Sequence, residues 1–236
     1  MGYVNAPKTI TAGKVSLGTS PFAKVGTDTV SIQDMLKSSA PAVGYSKRNT
    51  DAVQLQVWNG VGYTSYFYLS DAYVEDIDDE VEGWAKGNGD FADATIAPGT
   101  GYWYKVPKAD STFNLPGQVL DAASVTKDVF TTKLNLVGSP YPVVLDLKNL
   151  TTTVPAKPYS QRNTAALQLQ VWNGTGYTSY FYLSDAYDED TDDELEGWAK
   201  GNGDLVKGQV VDSSYGMWAK SPSADGKITF LNPIAE

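Results

Sequence analysis

The chain has 236 residues, 42% of them hydrophobic and 19% charged, which allows one large or two modest cores and excludes a disordered chain. It contains no Cys and no His, which excludes disulfides, thiolate and imidazole metal sites, cysteine nucleophiles and every histidine-based acid–base arrangement. The net charge of −10 is local: Asp71–Glu82 holds seven acids and Asp185–Glu196 holds eight, neither with a base, while the remaining chain sets 13 acids against 18 bases.

No basic stripe interleaved with aromatics is present, so nucleic acid is not an expected partner. No apolar run reaches the length of a membrane span, so no transmembrane segment is expected. No secretory leader pattern is visible, and MGYVNAPK reads as a mature start behind an added Met.

In chain order, the first clear strand is VQLQVW, where Val53, Leu55 and Val57 alternate with Gln54, Gln56 and Trp58. Asn59-Gly60 then predicts a hairpin, because both residues tolerate the positive φ of primed turns. The return strand GYTSYFYLS alternates Tyr63, Ser65, Phe67 and Leu69 with Thr64, Tyr66 and Tyr68. Tyr73, Ile77, Val81 and Trp84 fall at helical spacing, but Thr191 replaces Ile77 in a second copy, so a loop or a turn or two of helix is expected there. Gly101–Val106 and Thr112–Leu115 read as further strands.

The same passage returns later. Tyr45–Asp90 aligns without gaps on Tyr159–Asp204, and 39 of 46 positions are identical. Fainter echoes flank it: Lys14–Ala23 with Lys133–Pro142, Ile96–Pro107 with Val211–Pro222, and Ser111–Gly117 with Ile228–Ile234. A unit of about 117 residues used twice is therefore expected, joined near Pro116-Gly117, with modules at 1–116 and 117–236. Short strands at regular spacing make the expected fold all-β, two tandem antiparallel β-sandwich or small-barrel modules related by internal duplication.

Two sets of residues are candidate sites. The acidic runs are dense in the oxygen ligands that calcium takes, which nominates Asp71, Asp76, Asp78 and Glu80 with their copies Asp185, Asp190, Asp192 and Glu194. The runs depart from a calcium-loop pattern, lacking Gly at the sixth position, and a solvated acidic loop is the competing reading. Trp58, Tyr66 and Tyr68, with Trp172, Tyr180 and Tyr182, are expected to share one face as a glycan platform or protein interface. The same six also suit a core, and core is the preferred reading. Trp84 and Trp198 read as core anchors closing the acidic runs. Paired carboxylates could serve glycoside hydrolysis, but these crowd one loop, and no enzyme is expected. The Gly-rich GNGD stretches have neither a following helix nor a closing Lys-Ser/Thr, so no phosphate loop is read.

The order GYVN, SLGTSPFA or NLVGSPYP, LQVWNG-x-GYTSYFYLSDA, an acidic run ending in GWA, and PGTGYWYK resembles β-rich modules of uncharacterised secreted and cell-surface proteins of environmental bacteria. The resemblance covers nearly the whole chain and implies an extracellular location and a non-catalytic role. The expected function is a secreted or surface-displayed structural or assembly protein, as a fibre, surface-layer or adhesive component. Its partners would be copies of itself or other surface proteins. The alternative is a pair of tandem carbohydrate-binding modules with polysaccharide as partner. Calcium is the one cofactor considered.

Overall fold

The computed structural model describes residues 3–5, 8–20, 22–23, 29–35, 39–113, 116–131, 133–172, 176–211 and 216–233. Strands take 54% of the chain and helix 7%, so the class is all-β, built from several antiparallel sheets. Among the described residues no sheet closes on itself, so the small-barrel form of the expectation does not hold. The chain divides between Leu120 and Asp121 into two compact units. Pro116–Gln118 pairs with Tyr3–Asn5, so the expected join at 116/117 falls inside a ladder of the first unit.

The first unit is organised by a five-stranded sheet. Its strands in chain order are β1 (Lys14–Thr19), β2 (Gln54–Trp58), β3 (Tyr63–Val74), β4 (Asp79–Ala85) and β5 (Gly101–Val106). They lie side by side as β1-β5-β2-β3-β4. The second unit repeats the arrangement with β6 (Leu134–Gly138), β7 (Gln168–Trp172), β8 (Tyr177–Asp188), β9 (Asp193–Ala199) and β10 (Gly216–Lys220), ordered β6-β10-β7-β8-β9. A three-stranded sheet of Ser124–Val129, Gly226–Leu231 and Leu150–Thr152 belongs to the second unit alone among the described residues.

Each sheet has an apolar face that forms the main core. In the first unit Leu55, Tyr68, Trp84, Tyr102, Tyr104 and Phe113 are buried together, and the Tyr104 ring stacks on Phe113 at 3.9 Å. On the opposite face, the described residues cover the part over β3 and β4 and its copy over β8 and β9. There Phe67, Leu69, Ala72 and Ala85 pack under Val43, Tyr45 and Phe91, and Phe181, Leu183, Ala186 and Ala199 pack under Tyr159 and Leu205. Asp71 holds that cover in place by accepting the Tyr45 backbone N–H at 2.8 Å, as Asp185 does for Tyr159 at 2.7 Å.

Two local expectations are corrected. The segment from Tyr73 to Trp84 is neither loop nor helix for most of its length. β3 runs on to Val74, one 3-10 turn spans Glu75–Ile77, and β4 begins at Asp79. A helix would have stacked Glu75 on Asp79, Asp76 on Glu80 and Asp78 on Glu82 as like-charged neighbours. A hairpin instead satisfies the β3 edge and turns through Asp78, whose φ of 50° is left-handed. The second correction is the first hairpin. Trp58 pairs with Tyr63, leaving a four-residue loop in which Gly60 has φ 93° and Asn59 acts through its side chain. Asn59 Oδ1 accepts from Val61 N at 3.1 Å and Gly62 N at 2.9 Å. The matching Asn173-Gly174 turn lies outside the described residues.

Candidate functional site

Directly opposed residues of an antiparallel pair share a face. The β2–β3 register sets Leu55 against Tyr66, Val57 against Thr64, Gln56 against Ser65, and Trp58 against Tyr63. Trp58 therefore does not share a face with Tyr66 and Tyr68. Those two tyrosines lie with Leu55 and Val57 on the core side, where Tyr68 is 5% exposed and Tyr66 packs against the cluster. The same register in β7–β8 separates Trp172 from Tyr180 and Tyr182. The reason is parity, which a two-residue Asn-Gly loop and the observed four-residue loop share. An even number of residues between the paired ends makes even positions of one strand face odd positions of the next.

The core tyrosines have structural work. Tyr68 stands edge-on to Trp84 at 5.4 Å and donates its hydroxyl to Glu82 at 2.8 Å. Tyr182 does the same toward Trp198 and Glu196. Burial, then the facing carboxylate, pushes both phenols up to about 12. Trp84 and Trp198 are themselves buried, and Trp198 donates its ring N–H to the Leu150 carbonyl at 2.9 Å.

The other face is where a site can be built. Past the half covered by Tyr45 and Phe91, Trp58 meets Tyr63 edge-on at 5.1 Å. Trp103 of β5, set opposite Gln56, donates its ring N–H to the Tyr63 hydroxyl at 3.1 Å. The second unit builds the same group: Trp172 meets Tyr177 at 5.1 Å and Trp218 donates to the Tyr177 hydroxyl at 3.2 Å. Tyr63 is 38% exposed and Tyr177 42%, and all four tryptophans are half-buried. Gln56 and Ser65, with Gln170 and Ser179, complete the middle row of each face as partly exposed hydrogen-bonding groups. Trp58 and Trp172 were legible as site candidates. Tyr63, Trp103, Tyr177 and Trp218 were not, although Trp103 and Trp218 keep the same place in the faint echo GYWYK/GMWAK.

The acidic hairpins sit elsewhere. Glu75, Asp76, Asp78, Asp79, Glu80 and Glu82 are exposed at the far end of β3 from Tyr63. Of the proposed calcium ligands, Asp71 and Asp185 accept backbone N–H groups, and Asp78 and Asp192 accept the Tyr73 and Tyr187 hydroxyls at 2.7 and 2.6 Å. Asp190 pairs with Lys207, which also pairs with Asp188. Asp76, Glu80 and Glu194 are exposed. Among the described residues no three acids converge as a group able to hold a metal ion.

Among the described residues no helix is long and apolar enough to cross a membrane. The chain matches no protein-family model, and no curated protein or solved structure is significantly similar to it.

Proposed function

We propose that the protein is a secreted or surface-displayed, non-catalytic adhesive component of two repeated β-sandwich-type modules, each holding polysaccharide on the open half of its sheet. The observation that carries this reading is the half-exposed Trp58–Tyr63–Trp103 group and its repetition as Trp172–Tyr177–Trp218. Aromatic rings braced against one another offer the apolar surface on which the flat face of a sugar stacks, and the Tyr–Trp hydrogen bond holds them ready. Gln56 and Gln170 supply amide groups beside the rings for sugar hydroxyls. A non-catalytic role fits the placement of the acids. They gather at the other end of a 12-residue strand, roughly 35 Å from the rings at about 3.3 Å per residue.

The test is retention on immobilised polysaccharides together with tryptophan fluorescence. Wild-type protein is expected to be retained on at least one polymer with a change in emission. Trp58→Ala with Trp172→Ala is expected to abolish both. No retention and no fluorescence change with any polysaccharide would overturn the reading.

One observation favours a second reading, a fibre or surface-layer component. The acidic hairpins project charge of a single sign, and Ile77 at the tip of the first is 61% exposed. Such hairpins could dock on basic surfaces of further copies or of other surface proteins. Light scattering at low and high salt tests it, and a monomer at every concentration counts against it.

A further inference from the structure

Resting on the reading of the open face as a polysaccharide site, we infer that its ligand is an acidic polysaccharide whose sugars carry carboxylates, recognised by Lys105 in the first unit and Lys220 in the second. The register places Lys105 opposite Gln54, in the row next to Trp103 and Gln56 on the same face, about 7 Å along the strand from Trp103. Lys220 stands opposite Gln168 in the same relation to Trp218 and Gln170. Both ammonium groups are exposed, and neither pairs with a described carboxylate. The apolar residue beside each lysine is exposed as well, Val15 at 49% and Leu134 at 48%. Lys133 adds a second cation beside Lys220, in a shallow groove they share with Leu134, Ser221 and Pro222.

A comparison between the two units points the same way. Gly101–Lys105 and Gly216–Lys220 lie outside the nearly identical stretch, so exchange there is informative. The buried residues have changed, Tyr102 to Met217 and Tyr104 to Ala219, all at most 1% exposed. The residues on the open face have not: Trp103 matches Trp218 and Lys105 matches Lys220. Packing alone would keep the core side and release the surface side. The reverse is seen at these positions: the hydrogen bonds to Tyr63 and Tyr177 account for the tryptophans, and no described carboxylate accounts for the lysines. A tryptophan and a lysine one row apart take a sugar ring on the first and its carboxylate on the second. At about 0.15 M salt the protein's own acidic hairpins do not block a polyanion, since their separation from the Trp58 end is several Debye lengths, each about 8 Å.

The experiment compares retention on a uronate polymer (polygalacturonate), a neutral polymer (cellulose) and dextran sulfate, at about 150 mM and about 500 mM NaCl. Wild-type protein is expected to prefer the uronate and to lose most of that preference at high salt. Lys105→Ala with Lys220→Ala is expected to weaken uronate retention roughly three- to ten-fold and leave any neutral retention unchanged. Lys105→Arg with Lys220→Arg restores it. Equal retention on cellulose that ignores the lysines overturns this inference while leaving the polysaccharide reading in place. Retention on dextran sulfate that ignores Trp58→Ala and Trp172→Ala marks simple ion exchange and also overturns it. Retention on none of the three overturns the inference, and the wider panel of polysaccharides then decides the reading beneath it.

Discussion

Tyr68 and Tyr182 illustrate how one phenol can serve two neighbours. Each ring packs edge-on or tilted against a buried tryptophan while its hydroxyl reaches the rim to meet a glutamate. The cost of ionising them falls on the folded state only. Their folded pKa is raised to about 12 from an ordinary value near 10, so their stabilising contribution is complete below about pH 10 and disappears as pH rises toward 12. Tm measured from pH 9 to 12 is expected to fall steeply above pH 10. Tyr68→Phe with Tyr182→Phe should flatten that fall, with tyrosinate absorbance losing these two groups' share near pH 12 while the fully buried Tyr102 and Tyr104, pushed up further by burial, still ionise later. An unchanged alkaline slope in the variant would count against the assignment. These residues also show where residue-level reading stops. Tyr66 and Tyr68 were legible as aromatics on an alternating strand, and any even loop sets them on the face away from Trp58; which of the two faces is buried is decided only by what packs on it.

At the scale of elements, the hairpins decide the chemistry. The acidic runs read from composition as loops, yet most of each run is strand, because β3 and β8 present an edge that only a further strand satisfies. The two copies then diverge. Val74 and Asp93 of the first unit become Asp188 and Lys207 in the second, and Lys207 bridges Asp188 to Asp190. The hydrogen bond from Lys207 holds the Asp188 carboxyl below its usual range. Its contribution is therefore present above about pH 4 and lost as pH falls through the lowered folded value. Lys207→Ala is expected to lower Tm at pH 7, and the gap to wild type should be smaller at about pH 2. A gap of equal size at both pH values would argue that the lysine acts through packing alone. In the same melts, millimolar Ca²⁺ or chelator is expected to leave Tm in place, since four of the eight nominated carboxylates already accept hydrogen bonds from the fold and Asp190 is paired with Lys207.

Over the whole molecule, the proposed site occurs twice on one chain, and that has a consequence independent of how tightly either site binds. Where one polymer reaches both sites, apparent affinity exceeds that of one site by about 100-fold or more. Trp58→Ala alone should therefore lower apparent affinity for a long polysaccharide by about that factor. For a short oligosaccharide it should only halve the stoichiometry seen by titration calorimetry. A single variant that halves both would show that the sites act separately.

The sequence by itself determined the β class, the repeat, the absence of thiol and imidazole chemistry and the location of the acidic charge. These follow from composition, alternation and self-similarity, which are local properties of the chain. Only the tertiary structure decided which aromatics face outward. Trp58 and Tyr63 are near in sequence, but Trp103 joins them only because β5 pairs with β2, 45 positions away. The Asn-Gly turn was read correctly as a hairpin, and an even loop of two or of four residues alike puts Trp58 on the face of Tyr63 and not of Tyr66. Register couples every side chain on a strand to a partner distant in sequence, and a shift of one residue exchanges core for surface. The open half of the sheet, with its paired Trp and Lys, exists at that level alone.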